Sequence, residues 1–188
     1  MPFHVLPVLF ISSPANKNLV LAEAGVIEQY LAKQFDLMGS NLYEENLIKS
    51  FHSSTASLHQ MHSTTVAFIP DREARKKAMG VFREGPFKQW VAVHDKHLKD
   101  NGSNGHYIGD RLTLADIRTS NLIEHLLIQT GGEHLLKIVD RSFSLRRLRI
   151  EVGRDPRVDS WRTSQSYATL TTVTEQYFSD PFAPTPKL

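Results

Sequence analysis

Histidines are the side chains in this sequence whose type and spacing most directly suggest chemistry, because an imidazole nitrogen can bind a metal ion or carry a proton. His52, His59 and His62 would share one face of a helix, and His94 and His97 would do likewise. A structural zinc ion needs four ligands, however, and the sequence has no cysteine and no carboxylate at matching spacing. We therefore predict no metal site and expect partly exposed helix histidines.

A second group of chemically active residues is a run of arginines late in the chain. It consists of Arg141, Arg146, Arg147, Arg149, Arg154, Arg157 and Arg162. Arginines in such a run could bind phosphate or RNA. The acidic residues Glu151, Asp155 and Asp159 interrupt the run, however, and the net charge is only +2. We expect a solvated helix face and no nucleic-acid partner.

A third group, Thr113 and Asp116, has the spacing of a helix N-cap and its N3 position. The Thr113 hydroxyl can accept from the backbone N–H of Asp116, whose carboxylate can accept from the N–H of Thr113, which makes a capping box. Leu112 and Ile117 occupy the positions of the hydrophobic staple that accompanies such a box. We therefore predict a structural role for Asp116 and a helix from Thr113 to about Thr130.

This segment also carries a family resemblance. Tyr-Ile-Gly-Asp-Arg-Leu-Thr-Leu-Ala-Asp-Ile, residues 107–117, resembles the helical domain of soluble glutathione transferases, in which the same box and staple start the central helix. Met-Pro-Phe-x-x-Leu-Pro-Val-Leu at residues 1–9, with Leu-Ala-Glu-Ala-Gly-Val-Ile-Glu-Gln-Tyr-Leu-Ala at 21–32, looks like the second half of the family's thioredoxin-like domain. The N-terminal resemblance is closest to sigma-type members.

The resemblance implies a glutathione site at the start of the chain. In the family, the residue before a cis proline pairs its backbone with the cysteinyl part of glutathione, and a Glu/Gln-Ser pair at the next helix start holds the γ-glutamyl end. These roles fall on Leu6, Pro7, Glu23 and Ala24. Ala24 stands where the family has Ser, and the lost hydroxyl implies roughly tenfold to hundredfold weaker binding. Val5 stands where the family usually has Gln.

The resemblance begins part-way through the family's first domain. That domain opens with strand, helix, strand and helix, and this segment supplies the Tyr, Ser or Cys that activates the glutathione thiol. None of the five tyrosines here stands at that position, so we assign no catalytic residue. Three explanations stay open: a misassigned start, a truncated paralogue, or a partner that covers the bare strand edge. An uncovered edge also favours self-association and poor solubility.

The elements that must position these residues begin with a hairpin and a helix. We predict short strands at 3–9, interrupted by Pro7, and at 19–21, joined by a turn-rich loop at 12–18. A helix over 23–35 follows.

The remainder is predicted to be helical. We expect helices over 42–69, 70–99, 113–130, 135–139, 145–152 and from 155, with a kink or split at Gly85-Pro86 and an extended tail over 178–188. The fold class is therefore mainly α: a partial thioredoxin-like hairpin plus helix at 1–36, a linker at 37–45, and an all-helical glutathione transferase C-terminal domain at 46–188.

The composition and the C-terminal residues of the chain bear on membrane association and on cellular location. The chain is 40% hydrophobic and 22% charged, without a run of apolar residues long enough for a membrane span, so we expect no membrane partner. The absence of cysteine favours a reducing compartment, and we predict a cytoplasmic location. The alternative is peroxisomal, because the ending Pro186-Lys187-Leu188 departs by one residue from a Ser-Lys-Leu signal.

The implied activity is conjugation of glutathione, as a substrate rather than a cofactor, to a small apolar electrophile. The missing segment would impair it. The alternative is a non-catalytic dimerisation or scaffold module, as in translation elongation factor and prion-like relatives, which Ala24 and the absent catalytic segment favour. The family is mostly dimeric, but its dimer contact uses the first domain, so a homodimer is one prediction among several.

Overall fold

A short β-hairpin opens the chain. The structure, a computed structural model, describes residues 6–12, 18–129 and 132–179. Strand β1 (Val8–Ile11) pairs antiparallel with β2 (Leu19–Ala22), and Val8 lies opposite Ala22. The predicted strand over 3–9 differs from this: Pro7, which has no N–H to donate, precedes β1 instead of interrupting it. Residues 3–5 and most of the predicted loop lie outside the described residues.

Helix α1 (Ala24–Gln34) follows β2 directly and lies within one residue of its predicted bounds. Its N-cap is Glu23, which has a φ of 72° and makes no side-chain capping hydrogen bond. A positive φ is uncommon for a residue with a side chain, so the backbone is strained where it turns from β2 into α1. Helix α1 packs against the hairpin and against two of the helices that follow.

The rest of the described chain is helical, as the sequence predicts. The helices are α2 (Leu42–His62), α3 (Arg72–Phe82), α4 (Lys88–Asp100), α5 (Leu114–Leu127), α6 (Gly132–Arg141), α7 (Phe143–Arg154), α8 (Pro156–Arg162) and α9 (Gln165–Ser179). The mainly α fold class, with a hairpin and helix before an all-helical portion, is therefore confirmed.

The predicted break at Gly85-Pro86 is present as a wider helical turn. A π-helical turn, Arg83–Phe87, joins α3 to α4 and contains Pro86. Proline cannot supply an α-helical N–H and clashes with the carbonyl one turn back, so the chain widens where the proline sits. A second π-turn, Ser63–Ala67, extends α2 towards the loop before α3.

Helix α5 is the centre of the helical portion. It packs against α1, α2, α6 and α7, and its residues are buried around most of its circumference. The largest fully buried apolar side chains of the described chain are Phe87, Ile48, Leu98, Ile123, Leu126, Leu135, Leu145, Leu148, Val66 and Val139. Burial of this kind stabilises by roughly 25 cal/mol per Å² of apolar surface, so the core of the fold lies around α5.

The C-terminal helices extend beyond their predicted bounds. Helices α6 and α7 are longer than expected, and α8 begins at Pro156 after the N-cap Asp155, whose side chain accepts from the N–H of Arg157. Helix α9 was not predicted. It includes residues 178 and 179, so the extended tail predicted from 178 is wrong there, and residues 180–188 lie outside the described residues.

Candidate functional site

The hairpin register brings the four sequence-predicted glutathione residues to one end of the hairpin. Since β1 starts and β2 ends at the Val8–Ala22 pair, Leu6 and Pro7 precede the same end from which Glu23 and Ala24 continue. The Leu6–Pro7 peptide bond is cis, and the Leu6 side chain is exposed. The backbone of both segments therefore lies beside the N-terminus of α1.

The first turn of α1 has the polarity needed for an anion. The N–H groups of Val26 and Ile27 are bonded to the carbonyl of Glu23, at 3.0 Å each. The two preceding N–H groups, on Ala24 and Gly25, have no carbonyl within the helix to bond, as at any helix N-terminus. Their dipoles make this end of the helix positive, which favours a bound carboxylate.

An open groove of about 740 Å³ runs between α1 and α2, with α5 at its floor. We call it the α1–α2 groove. Its lining residues are Glu23, Ala24, Gly25, Val26, Glu28, Gln29, His52, Ser53, Ala56, Ser57, His59, Gln60, Ser63 and Arg118. Two of the predicted glutathione residues, Glu23 and Ala24, therefore form part of the wall of this groove, which presents polar and apolar surface in about equal parts.

Ionisable side chains from three helices meet in this groove. Glu28 of α1 contacts Nε2 of His52 through Oε2 at 2.5 Å, while its Oε1 lies 3.4 Å from an Arg118 nitrogen. A second Arg118 nitrogen lies 3.4 Å from Nδ1 of His59, whose ring is 5.1 Å from that of His125. Sequence reasoning placed His52 and His59 on one helix face but did not predict the carboxylate and guanidinium that they meet.

The environment sets the charge state of this cluster. Burial raises the pKa of Glu28, but the His52 hydrogen bond and the Arg118 charge outweigh burial and leave that pKa below its usual value. Burial, with the neighbouring charges of His125 and Arg118, lowers the pKa of His59 to about 4. Burial, with Arg118, also lowers the pKa of His125. Glu28 is therefore ionised at neutral pH, and His59 and His125 are uncharged.

The expectation of partly exposed histidines is wrong for three of them. His52, His62 and His94 are buried, at 3%, 0% and 1% exposure. Burial lowers the pKa of His62 to about 4 and that of His94 to about 3, so both rings are neutral and occupy core positions as bulky side chains. Within the described ranges, no group of three or more His, Cys, Asp or Glu side chains is arranged to hold a metal ion.

A buried polar chain between α2, α4 and α5 was missed by sequence reasoning. His94 contacts Ser54 through Nε2 at 3.0 Å and the Tyr107 hydroxyl through Nδ1 at 2.5 Å. Thr119 donates to the same Tyr107 hydroxyl at 3.2 Å and contacts Thr55 at 3.2 Å. Burial raises the pKa of Tyr107, so it stays protonated. This chain borders a second groove of about 610 Å³ but carries no charge at neutral pH, which suits it to bracing the helices.

The Thr113–Asp116 pair forms a capping box at the start of α5. The Asp116 carboxylate accepts from the N–H and hydroxyl of Thr113, at 2.8 Å each, and from the N–H of Tyr107 at 2.9 Å. Asp116 is fully buried, and these bonds tie the preceding loop to α5. Leu112 and Ile117 line a small apolar pocket of about 210 Å³ beside Trp161.

The arginines of the C-terminal helices have local carboxylate partners. Arg149 pairs with Glu124 of α5 at 2.9 Å, Arg147 pairs with Glu151 at 2.9 Å, and Arg157 pairs with Asp155 at 2.8 Å. These pairs neutralise much of the positive charge of the run, as the interleaved acidic residues predicted. No helix among the described residues combines the length and apolar character needed to cross a membrane.

Known proteins with similar sequences and folds include several glutathione S-transferases. Glutathione S-transferase of Plasmodium yoelii yoelii is 25% identical over 126 residues, 67% of this chain and 54% of that protein. Glutathione S-transferase A1 of Mus musculus is 30% identical over 110 residues, 58% of this chain and 47% of that protein. The chain thus spans about half the length of the curated relatives it matches.

Solved structures show the same fold. The Fasciola hepatica sigma class GST superposes with a TM-score of 0.70 at 21% identity, covering 86% of this chain and 74% of that one. Monomeric Na-GST-3 of Necator americanus gives 0.68 at 22% identity, covering 88% and 76%. At these identities the likeness establishes the fold alone.

The family model for the C-terminal domain of glutathione S-transferases matches residues 59–165, which is more than half of the chain. The named relatives are likewise transferases, so the scaffold alternative is not favoured. The predicted membership is confirmed: the chain belongs to the glutathione S-transferase superfamily, and residues 59–165 match its C-terminal domain.

Proposed function

We propose that this chain binds glutathione at the N-terminus of α1 and takes part in its conjugation to electrophiles. The observation that carries the proposal is the hairpin register, which sets Leu6-Pro7 and Glu23-Ala24 at one end of the hairpin beside the free N–H groups of α1. In this arrangement the γ-glutamyl carboxylate accepts from Ala24 and Gly25, and the Glu23 carboxylate binds the α-amino group. The Leu6 backbone binds the cysteinyl part.

The proposed reaction joins the glutathione sulfur to an electrophilic carbon, with departure of a leaving group or addition across a double bond. A thiolate is the nucleophile in such a step, so the rate depends on lowering the thiol pKa. We assign no residue of this chain to that task. The proposal is therefore that these residues bind and orient glutathione for conjugation.

Ala24 makes the binding proposal testable through a gain of function. Titration calorimetry with glutathione measures Kd for the wild type and for Ala24→Ser, which adds the hydroxyl that the family has at this position. A hydrogen bond to a charged carboxylate strengthens binding roughly tenfold or more. Tyr43→Phe, an exposed change on α2 outside the α1–α2 groove, is the matched control.

Turnover with a chloronitrobenzene is measured alongside, because it separates the binding of glutathione from its conjugation. Retention on immobilised glutathione, lost in Glu23→Ala, would support the site. A folded wild type that binds no glutathione at millimolar concentration, together with an Ala24→Ser variant that gains nothing, would overturn the proposal.

The coarser organisation is proposed with it. We propose a partial thioredoxin-like segment at 1–36 and a helical domain at 46–188, joined by a linker at 37–45. A homodimer and a cytoplasmic location stay predictions. Residues 186–188, on which the peroxisomal alternative depends, lie outside the described residues.

A further inference from the structure

We propose that Arg118 is the anion-binding residue of the α1–α2 groove and that the electrophile taken there carries a carboxylate. This rests on the proposed function, because it places the second substrate beside the proposed glutathione site. It narrows the sequence-based expectation of an apolar electrophile to one that also carries a carboxylate. The groove wall carries hydroxyl, amide, imidazole and charged side chains beside apolar ones such as Val26 and Ala56.

Arg118 is held loosely for a guanidinium at the floor of a groove. Its side chain is 24% exposed, and its contacts with Glu28 and with His59 are each 3.4 Å long. Charge-assisted hydrogen bonds are ordinarily about 2.7–2.9 Å. The Arg118 Nε is buried and has no hydrogen-bond partner among the described residues. A guanidinium has five N–H donors in a planar arrangement that fits a carboxylate. Arg118 therefore has donors available for a ligand.

The neighbouring Glu28 carboxylate takes one of these donors at 3.4 Å, but its shorter contact is with another residue. Glu28 Oε2 is 2.5 Å from His52, whereas Glu28 Oε1 is 0.9 Å farther from Arg118 than that. The Arg118 contact on the other side is with His59, which is uncharged at neutral pH. The guanidinium of Arg118 thus has only long contacts to the residues around it, which leaves its N–H groups able to bind an incoming carboxylate more closely.

The remaining groups in the groove suit a small carboxylate. The other acidic residue of the lining, Glu23, lies at the N-cap of α1 and is exposed to solvent. Ser53, Ser57 and Gln60 of α2 are exposed along the same wall and present donors at the groove surface. Two carboxylate sources share this chemistry: an acidic group on the electrophile and the carboxylates of glutathione itself.

The test uses two matched conjugates, S-(4-carboxybenzyl)glutathione and S-(4-carbamoylbenzyl)glutathione, which differ in charge and little in shape. Titration calorimetry measures both Kd values, and that of glutathione, for the wild type, Arg118→Gln and Arg118→Lys. Arg154→Gln is the control, because Arg154 is exposed on α7 and pairs with Glu151. We expect the wild type and the control to bind the carboxylate conjugate about tenfold or more tightly than the amide.

Arg118→Gln should abolish this preference and leave the affinities for the amide and for glutathione unchanged. Arg118→Lys should keep part of the preference, since the charge remains but the planar fork is lost. If the wild type bound the two conjugates equally, that result alone would overturn the proposal, and no variant would be needed. Equal weakening of glutathione and both conjugates by Arg118→Gln would assign Arg118 to glutathione and overturn its role toward the electrophile.

A separate arm keeps this inference distinct from the proposed function. 4-Methylbenzoate and 4-methylbenzamide are titrated without glutathione and followed by chemical-shift changes in the protein spectrum. Binding of the benzoate that Arg118→Gln abolishes would support the anion site even where no glutathione conjugate binds, in which case the proposed function fails alone. Conjugate binding that is blind to charge, together with no response to the benzoate, would overturn this inference and leave the proposed function intact.

Discussion

His52 Nε2 lies 2.5 Å from Oε2 of Glu28 and thereby joins α2 to α1 under the wall of the α1–α2 groove. His52 is almost fully buried, whereas Glu28 keeps about a third of its side chain in contact with solvent. The pair is one of several polar contacts, with Lys33–Glu45 and Arg118–Glu28, that fasten the short hairpin-and-helix portion to the helical portion. A buried ring that loses its partner costs more than the hydrogen bond itself contributes, because the ring cannot return to water.

We expect Glu28→Ala to lower the free energy of unfolding by about 1–3 kcal/mol, because it leaves the His52 ring buried without its acceptor. Urea unfolding followed by circular dichroism measures the change. Glu84→Ala is the matched control, since Glu84 pairs with Lys88 at the surface and should matter little. An unchanged midpoint in Glu28→Ala would contradict the fastening role. Glu28→Gln, which keeps an acceptor oxygen, should lie between the wild type and Glu28→Ala.

Acid should destabilise the protein through its buried histidines. In the folded state His59 and His62 have pKa values of about 4, below the ordinary 6.5 that they regain on unfolding. Between these values the unfolded chain binds more protons, so stability is full above pH 6.5 and falls as the pH drops towards 4. For fully buried His62 the loss reaches about 3 kcal/mol at most.

His62→Met isolates this effect. Neither ring nitrogen of His62 has a hydrogen-bond partner in the described part of the chain, so a thioether of similar size should be tolerated. We expect the variant to match or exceed the wild type at pH 7 and to lose less stability between pH 6.5 and 4, measured as urea midpoints at each pH. An identical pH slope in both proteins would show that His62 does not titrate on unfolding.

The buried Asp116 carboxylate should be the most sensitive polar group of the α5 start. Asp116→Ala removes the acceptor of two hydrogen bonds from Thr113 and one from the Tyr107 backbone, together with a 3.4 Å contact to His106 Nδ1, and leaves buried donors unpaired. We expect a loss of about 2–4 kcal/mol by urea unfolding, with faster amide exchange at Tyr107. Thr113→Ala should cost about 1 kcal/mol. Asp110→Ala, at an exposed position, is the control.

The sequence predicted the features that depend on residues close together along the chain, and it missed the contacts between residues that are distant along the chain. The two residues of the capping box are three positions apart, and the α1 helix and the break at Pro86 are also set by neighbouring residues, so pattern and turn chemistry predicted them. The groove cluster joins Glu28 to His52 and to Arg118, which are 24 and 90 residues away. A local sequence pattern cannot show such distant contacts, so the histidines were expected to be partly exposed.

Helix α9 illustrates a second limit. Its residues alternate threonines with scattered apolar side chains, and none of those described is fully buried, so the sequence shows no clear apolar stripe. The structure instead shows threonine hydroxyls bonded back to carbonyls four residues earlier, as from Thr169 to Gln165 at 2.9 Å and from Thr174 to Leu170 at 2.8 Å. Such bonds satisfy the threonine hydroxyls within a helix. They leave no hydrophobic period in the sequence from which the helix could be predicted.

Glycine should be required at the turn from α5 into α6 but not in α3. A Cβ at Gly132 would come 2.7 Å from the Leu127 Cα, closer than real side chains approach backbone, and the backbone there cannot yield as a flexible side chain would. At Gly80, inside α3, a Cβ would meet nothing within 4 Å. We expect Gly132→Ala to destabilise by about 2 kcal/mol or more. Gly80→Ala should stabilise by about 0.5–1 kcal/mol, because alanine favours a helix interior. Thermal melting of the two variants compares the effect of the same added methyl group at both sites. A Gly132→Ala protein as stable as the wild type would mean that α5 and α6 approach less closely than the structure shows.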